Sequence, residues 1–152
     1  MRQAERQTTP EAAWAMVDST DYAVLSLVDP EGLPYGVPLT LWRQGEDLFF
    51  HCAGEGLKTQ CLEKDPHVSI CCVAKAQVVP GAMTMGYASA ILRGTAQEVT
   101  DPREKLDAMN AMCRRYGVPQ DHPALTSGFR ACLPKTAIWR IHVTSVTGKQ
   151  RG

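Results

Sequence analysis

Residues 48–73 constrain the fold more than any other stretch of this chain. They read as an apolar strand over 48–53, a turn bearing Gly54 and Gly56, a short helix over 56–64, a stop at Asp65-Pro66, and a second apolar strand over 68–73. Lys58 falls in the first turn of that helix. A helix start leaves backbone N–H groups without partners, so small residues and a lysine there suit an anion. Apolar strands on both sides can carry the rest of a flat ligand. The pattern points to a nucleotide-like cofactor held by its phosphate.

Any such anion needs a local site, because the chain has no global field to attract one. Sixteen basic and sixteen acidic residues cancel over 152 positions, which sets aside nucleic acid and anionic membrane surfaces as partners. The first ten residues lack an apolar core, so no secretory leader is expected. No apolar run reaches the length of a membrane span, and a cytoplasmic protein is expected. The length suits one domain, 1–152, with residues 1–20 as an N-terminal helical segment packing on it. Cys52, Cys61, Cys71, Cys72, Cys113 and Cys132 include no C-x-x-C pair. Cys71 and Cys72 on a strand point to opposite faces. Free thiols packed as small hydrophobes are expected, with no metal site.

Thr9 and Pro10 cap a short helix whose apolar residues are Ala13, Trp14, Met16 and Val17. Strands follow over 22–28 and 33–42, joined by a turn at 29–32. Pro34 and Pro38 demand an edge position or a bulge in the second of them. After the stretch 48–73, residues 75–86 read as irregular, and 87–99 as a long strand bent at Gly94. Asp101, Pro102 and Glu104 open the clearest helix, with Leu106, Met109, Cys113 and Tyr116 as its buried stripe and Gly117 as its end. A loop or short helix is expected over 118–133, and 136–146 closes the chain as a sixth strand. Strands joined by tight turns, with helices between only some of them, predict a mainly β, antiparallel barrel with peripheral helices.

Five segments in this order are similar to one family: 22–39 (YAVLSLVDPEGLPYGVPL), 50–58 (FHCAGEGLK), 64–70 (KDPHVSI), 87–94 (YASAILRG) and 141–149 (IHVTSVTGK). The chain resembles the flavin-binding split barrels related to pyridoxamine 5′-phosphate oxidase, and within them the branch of the 5-nitroimidazole resistance (Nim-type) proteins. The resemblance implies a six-stranded split barrel that forms a homodimer, with FMN in two equivalent clefts between subunits. It implies that His51, Cys52, Ala53, Gly56 and Lys58 hold the phosphate turn. Pro38, Leu39 and Thr40 run beside the isoalloxazine, and Tyr87 and Ser89 reach toward the phosphate and ribityl chain. Leu57 departs from the histidine common in relatives. The arginine-rich substrate set of the pyridoxamine oxidases proper is missing, which argues against vitamin B6 chemistry.

The implied activity is FMN-dependent reduction of a small electron-poor acceptor such as a nitro-aromatic, with hydride from a nicotinamide donor or electrons from a redox partner. The alternatives are a flavin-binding electron carrier without turnover, or a split barrel for haem or a deazaflavin. His51 either faces the flavin or substrate, as the one candidate catalytic residue, or is a core histidine bonded to a backbone carbonyl. Cys52 is either a reactive thiol or packing. Arg93 can add charge on the Ser89 face. Trp42 and Trp139 can stack on a ring or fill the core, and His67, His122 and His142 are expected to be structural or exposed.

Overall fold

The structure, a computed structural model, describes residues 3–119, 122, 131 and 133–152. Among these, three α-helices and seven strands follow in the order α1 (Pro10–Ser19), β1 (Ala23–Val28), β2 (Pro34–Leu39), β3 (Trp42–Gln44), β4 (Asp47–Ala53), α2 (Leu57–Lys64), β5 (His67–Val78), β6 (Met85–Glu98), α3 (Pro102–Arg115) and β7 (Thr136–Arg151). Every strand pairing is antiparallel, in the spatial order β2-β1-β5-β6-β7-β4-β3.

The two edge strands of that sheet are neighbours in sequence, separated only by Thr40 and Leu41. Leu39 and Trp42 therefore lie within roughly 11 Å of each other. The sheet must curl until its edges meet, and the chain bridges the seam where no ladder does. Inward residues of well-separated strands accordingly share one core: Leu25 of β1, Phe50 of β4, Ile70 of β5, Leu92 of β6 and Ile141 of β7, all fully buried. This is the split-barrel fold. The expected second strand over 33–42 is broken at the seam, which is why seven strands stand where six were expected. Pro38 sits on edge strand β2, where its missing N–H costs no ladder bond.

Helices close the barrel. The Thr9 hydroxyl caps α1 by accepting from the Ala12 N–H at 3.2 Å, and Ala13, Met16 and Val17 pack into the main core. Cys61 and Leu62 of α2 enter the same core. The outer face of the seam carries a second cluster, in which Trp42, Phe49 and Ile138 are covered by Ala108, Met109, Met112 and Cys113 of α3. The Asp101 carboxylate accepts from the N–H groups of Arg103 and Glu104 at 3.0 and 2.9 Å. The expected reciprocal bond from Glu104 is absent, because that carboxylate accepts from Arg140 on β7 at 2.8 Å instead. Asp101→Ala is expected to lower stability by about 1 kcal/mol in denaturant melts.

Three sequence readings are corrected. Residues 75–86 are not irregular: β5 runs on to Val78 and pairs with β6 from Met85, enclosing a turn in which the Val79 N–H donates to the Thr84 carbonyl. From Val73 to Met85 nearly every side chain is exposed, so this hairpin lacks the alternation that marks a strand. In α3 the buried stripe is Ala108, Met109, Met112 and Cys113, while Tyr116 is the exposed C-cap and Leu106 is half-buried. The closing strand extends to Arg151 rather than stopping at 146. Most of the expected loop over 118–133 lies outside the described residues, as does Cys132.

Candidate functional site

β4 places His51 and Cys52 on opposite faces of the barrel wall. Phe50 points into the core, so His51 emerges outside and Cys52 returns inward. The outer face carries an aromatic row: the Trp42 ring stacks on Phe49 at 6.1 Å and 18°, and lies 6.3 Å from the His51 ring at 39°. His51 is exposed at the end of this row and is not a core histidine. Partial desolvation, and then the charge of Lys58, hold its pKa below the ordinary 6.5, so the neutral ring dominates at pH 7. Lys58→Gln removes the second cause and is expected to raise the His51 pKa. Proton NMR titration of the imidazole checks the direction.

Past Ala53, which is exposed at the end of β4, the chain turns into α2 through Gly56 at φ 133°. A side chain is strained at that φ, which explains glycine there. No side chain caps α2, and its first turn holds no acid. Lys58 Nζ lies 5.6 Å from the centroid of the Phe50 ring. Among the described residues no carboxylate pairs with it. A cation at a helix N-terminus opposes the helix dipole, so this start lacks the negative charge that would satisfy both. The Cys52 thiol, beside Thr59 and Trp139, is pushed above its usual pKa by burial more than Lys58 lowers it. It is a packed, protonated thiol rather than a nucleophile.

The other expected site residues fall into two places. Pro38 points outward on β2, Leu39 packs against the core, and Thr40 lies in the seam two residues before Trp42. The seam thus brings this segment toward the His51 row. Tyr87 and Ser89 lie on the outer face of β6, paired with Arg151 and Lys149 of β7. Lys149 Nζ is 5.5 Å from the Tyr87 ring centroid, and Arg6 donates to the Tyr87 hydroxyl at 3.5 Å. The Arg6 bond first, with Lys149 adding to it, holds the phenol below its usual pKa. His51 pairs with Ile138 and Ser89 with Lys149. Those partners stand eleven positions apart on β7, at most roughly 35 Å of strand path. The two groups thus pair with opposite ends of β7.

Thr59, Arg6 and Lys149 escaped the sequence reading. Thr59 is the one buried polar side chain among the described residues, and its place directly after Lys58 was the available signal. Lys149 stood at the end of a matching segment, but its strand was expected to stop three residues earlier. Trp139 packs in the barrel core and Trp42 in the outer cluster. Arg93 is exposed, and His67 and His142 are exposed and pair with Asp65 and Asp47 at 2.7 and 3.0 Å. Among the described residues no group of metal ligands gathers, and no helix is long and apolar enough to cross a membrane.

A curled antiparallel sheet with its edges meeting across two residues defines a split-barrel protein. Over residues 9–150 the chain matches the family described as pyridoxamine 5′-phosphate oxidase, and it belongs to that family. Among solved structures it is similar to a candidate 5-nitroimidazole antibiotic resistance protein from Bacteroides thetaiotaomicron, at 23% identity and TM-score 0.78 over 93% of this chain and 84% of that one. It is similar to a FAD-binding protein from Mesorhizobium loti, at 19% identity and TM-score 0.69 over 97% and 98%. A FAD and heme binding protein from Mycobacterium smegmatis matches at 18% identity and TM-score 0.77 over 95% and 73%. At these identities the likeness shows the fold. No curated protein matches the chain.

Proposed function

We propose that the chain is one FMN-binding domain that works as a cytoplasmic homodimeric oxidoreductase, reducing a small electron-poor acceptor such as a nitro-aromatic. The observation that carries this reading is Lys58, unpaired among the described residues, at an uncapped helix start directly after the His51 strand. The residues suit the group. Lys58 and the free N–H groups of α2 would hold a phosphate, with Gly56 letting it approach the backbone. A flat ring has the aromatic row of Trp42 and His51 and the segment Pro38–Thr40 as neighbours. Similar structures described as binding FAD, or FAD and heme, support a flavin as the cofactor.

Bound flavin would supply hydride and electron transfer, and the chain's residues set its surroundings. Lys58 anchors by charge. Neutral His51 can donate one hydrogen bond to a ring oxygen or to an acceptor's nitro group without adding a full charge. Tyr87 and Ser89, which pair with the opposite end of β7 from His51, would serve the cleft of the partner, so the proposed complete site draws on two copies.

The test is steady-state oxidation of a nicotinamide donor by the flavin-loaded protein with a nitro-aromatic acceptor. Turnover that depends on both the flavin and the acceptor is expected. A protein that binds flavin yet stays inert with every donor would be a carrier rather than a reductase.

A further inference from the structure

A second concavity lies away from Lys58, at the barrel mouth beside the seam. It encloses about 360 Å³, within the range of small-molecule sites. Its floor is apolar, formed by Ala23, Leu41, Leu48 and Cys72. Its rim is charged, formed by Asp18 at the end of α1, Arg43 on β3 and Arg115 at the end of α3. A core of this density normally closes such a space.

The rim charges are not equivalent. Arg43 grips the Asp18 carboxylate with two nitrogens and donates to the Gly45 carbonyl at 2.9 Å. That pair neutralises itself. Arg115 uses only Nη2, donating to the backbone carbonyls of Asp18 at 3.0 Å and Thr20 at 3.5 Å. Its Nε and Nη1 make no bond among the described residues, so the rim keeps one positive charge with open donors. Trp42 also lines the cavity, at 2% exposure.

We propose that this cavity binds a small organic anion with an apolar body, a carboxylate on an aromatic or branched aliphatic group. The apolar body rests on the floor, and the carboxylate meets the free donors of Arg115 at the rim. The guanidinium fork suits two carboxylate oxygens. The Cys72 thiol, pushed up to about 12 chiefly by desolvation, belongs to the floor as an inert hydrophobe. The site does not share Lys58, although it borders the aromatic row through Trp42.

Isothermal titration calorimetry on the full chain with benzoate, 3-methylbutanoate and neutral benzamide tests this. Saturable binding of at least one acid is expected, about tenfold or more tighter than benzamide. Arg115→Gln should weaken it by about tenfold or more, and Lys58→Glu should leave it unchanged. Arg115 is exposed, so its replacement leaves the core intact. Absence of saturable binding for both acids, equal affinity for benzamide, or loss with Lys58→Glu but not with Arg115→Gln would each overturn the proposal.

Discussion

Lys58→Glu is expected to weaken FMN binding by about a hundredfold or more. A hydrogen bond to a charged group contributes about 1.5–3 kcal/mol, and the substitution both removes it and places a carboxylate against the phosphate. The field at the uncapped start of α2 makes the reversal specific to a bound anion, because a glutamate in that first turn favours the bare helix. Lys58 contacts the Phe50 ring and pairs with no acid among the described residues. The fold should therefore change little, and thermal melts of the flavin-free variant should stay close to wild type. Lys58→Met, which removes charge without reversing it, should show an intermediate loss of about tenfold. Equal FMN affinity in wild type and Lys58→Glu would place the phosphate elsewhere.

Gly94→Ala is expected to cost about 3 kcal/mol of stability, equivalent to a fall in melting temperature of about 6–12 °C for a chain of this size. A Cβ on Gly94 would stand 2.3 Å from the His142 carbonyl oxygen and 3.0 Å from Ile141 Cγ2. The nearer obstacle is backbone and cannot rotate aside. The ladder between β6 and β7 shifts register at this point, between Arg93 and Gly94. Added bulk must push apart the two strands that form the middle of the sheet. Gly36→Ala is the control: its Cβ would meet only Val24 Cγ1 at 3.6 Å, an ordinary contact on an edge strand. It should stay within about 1 kcal/mol of wild type when both variants are compared in urea melts. A Gly94→Ala variant as stable as that control would mean the strands separate freely at the bulge.

The helix starts were legible because their chemistry is local. Thr9-Pro10 and Asp101-Pro102 cap where they were expected to. The irregularity at Gly94 was also readable, from a glycine within a strand, whereas strand alternation left open which way His51 faces. The seam was not. Nothing local at Thr40-Leu41 says that the strands on its two sides join opposite edges of one sheet, since that depends on how far the whole sheet coils. The hairpin over 75–86 was hidden for the opposite reason. It is regular in its backbone, but its side chains face water on both sides and leave no periodic trace. Glu104 shows a third case, where a nonlocal partner, Arg140, wins over the local cap the sequence offered.

The candidate site was legible as residues and opaque as geometry. His51, Gly56 and Lys58 gather as expected because they share one strand-turn-helix unit. Tyr87 and Ser89 pair instead with the opposite end of β7. The proposed FMN site draws on both groups, so the flavin proposal and the dimer proposal are tested together.

The visible absorption spectrum of the purified protein, taken as isolated and after adding FMN and removing the excess, tests that reading most directly. The two visible bands of an oxidised flavin are expected to persist, with about one FMN per chain, and to be lost in Lys58→Glu. A colourless protein that retains no FMN, or one whose bands belong to haem, would contradict it.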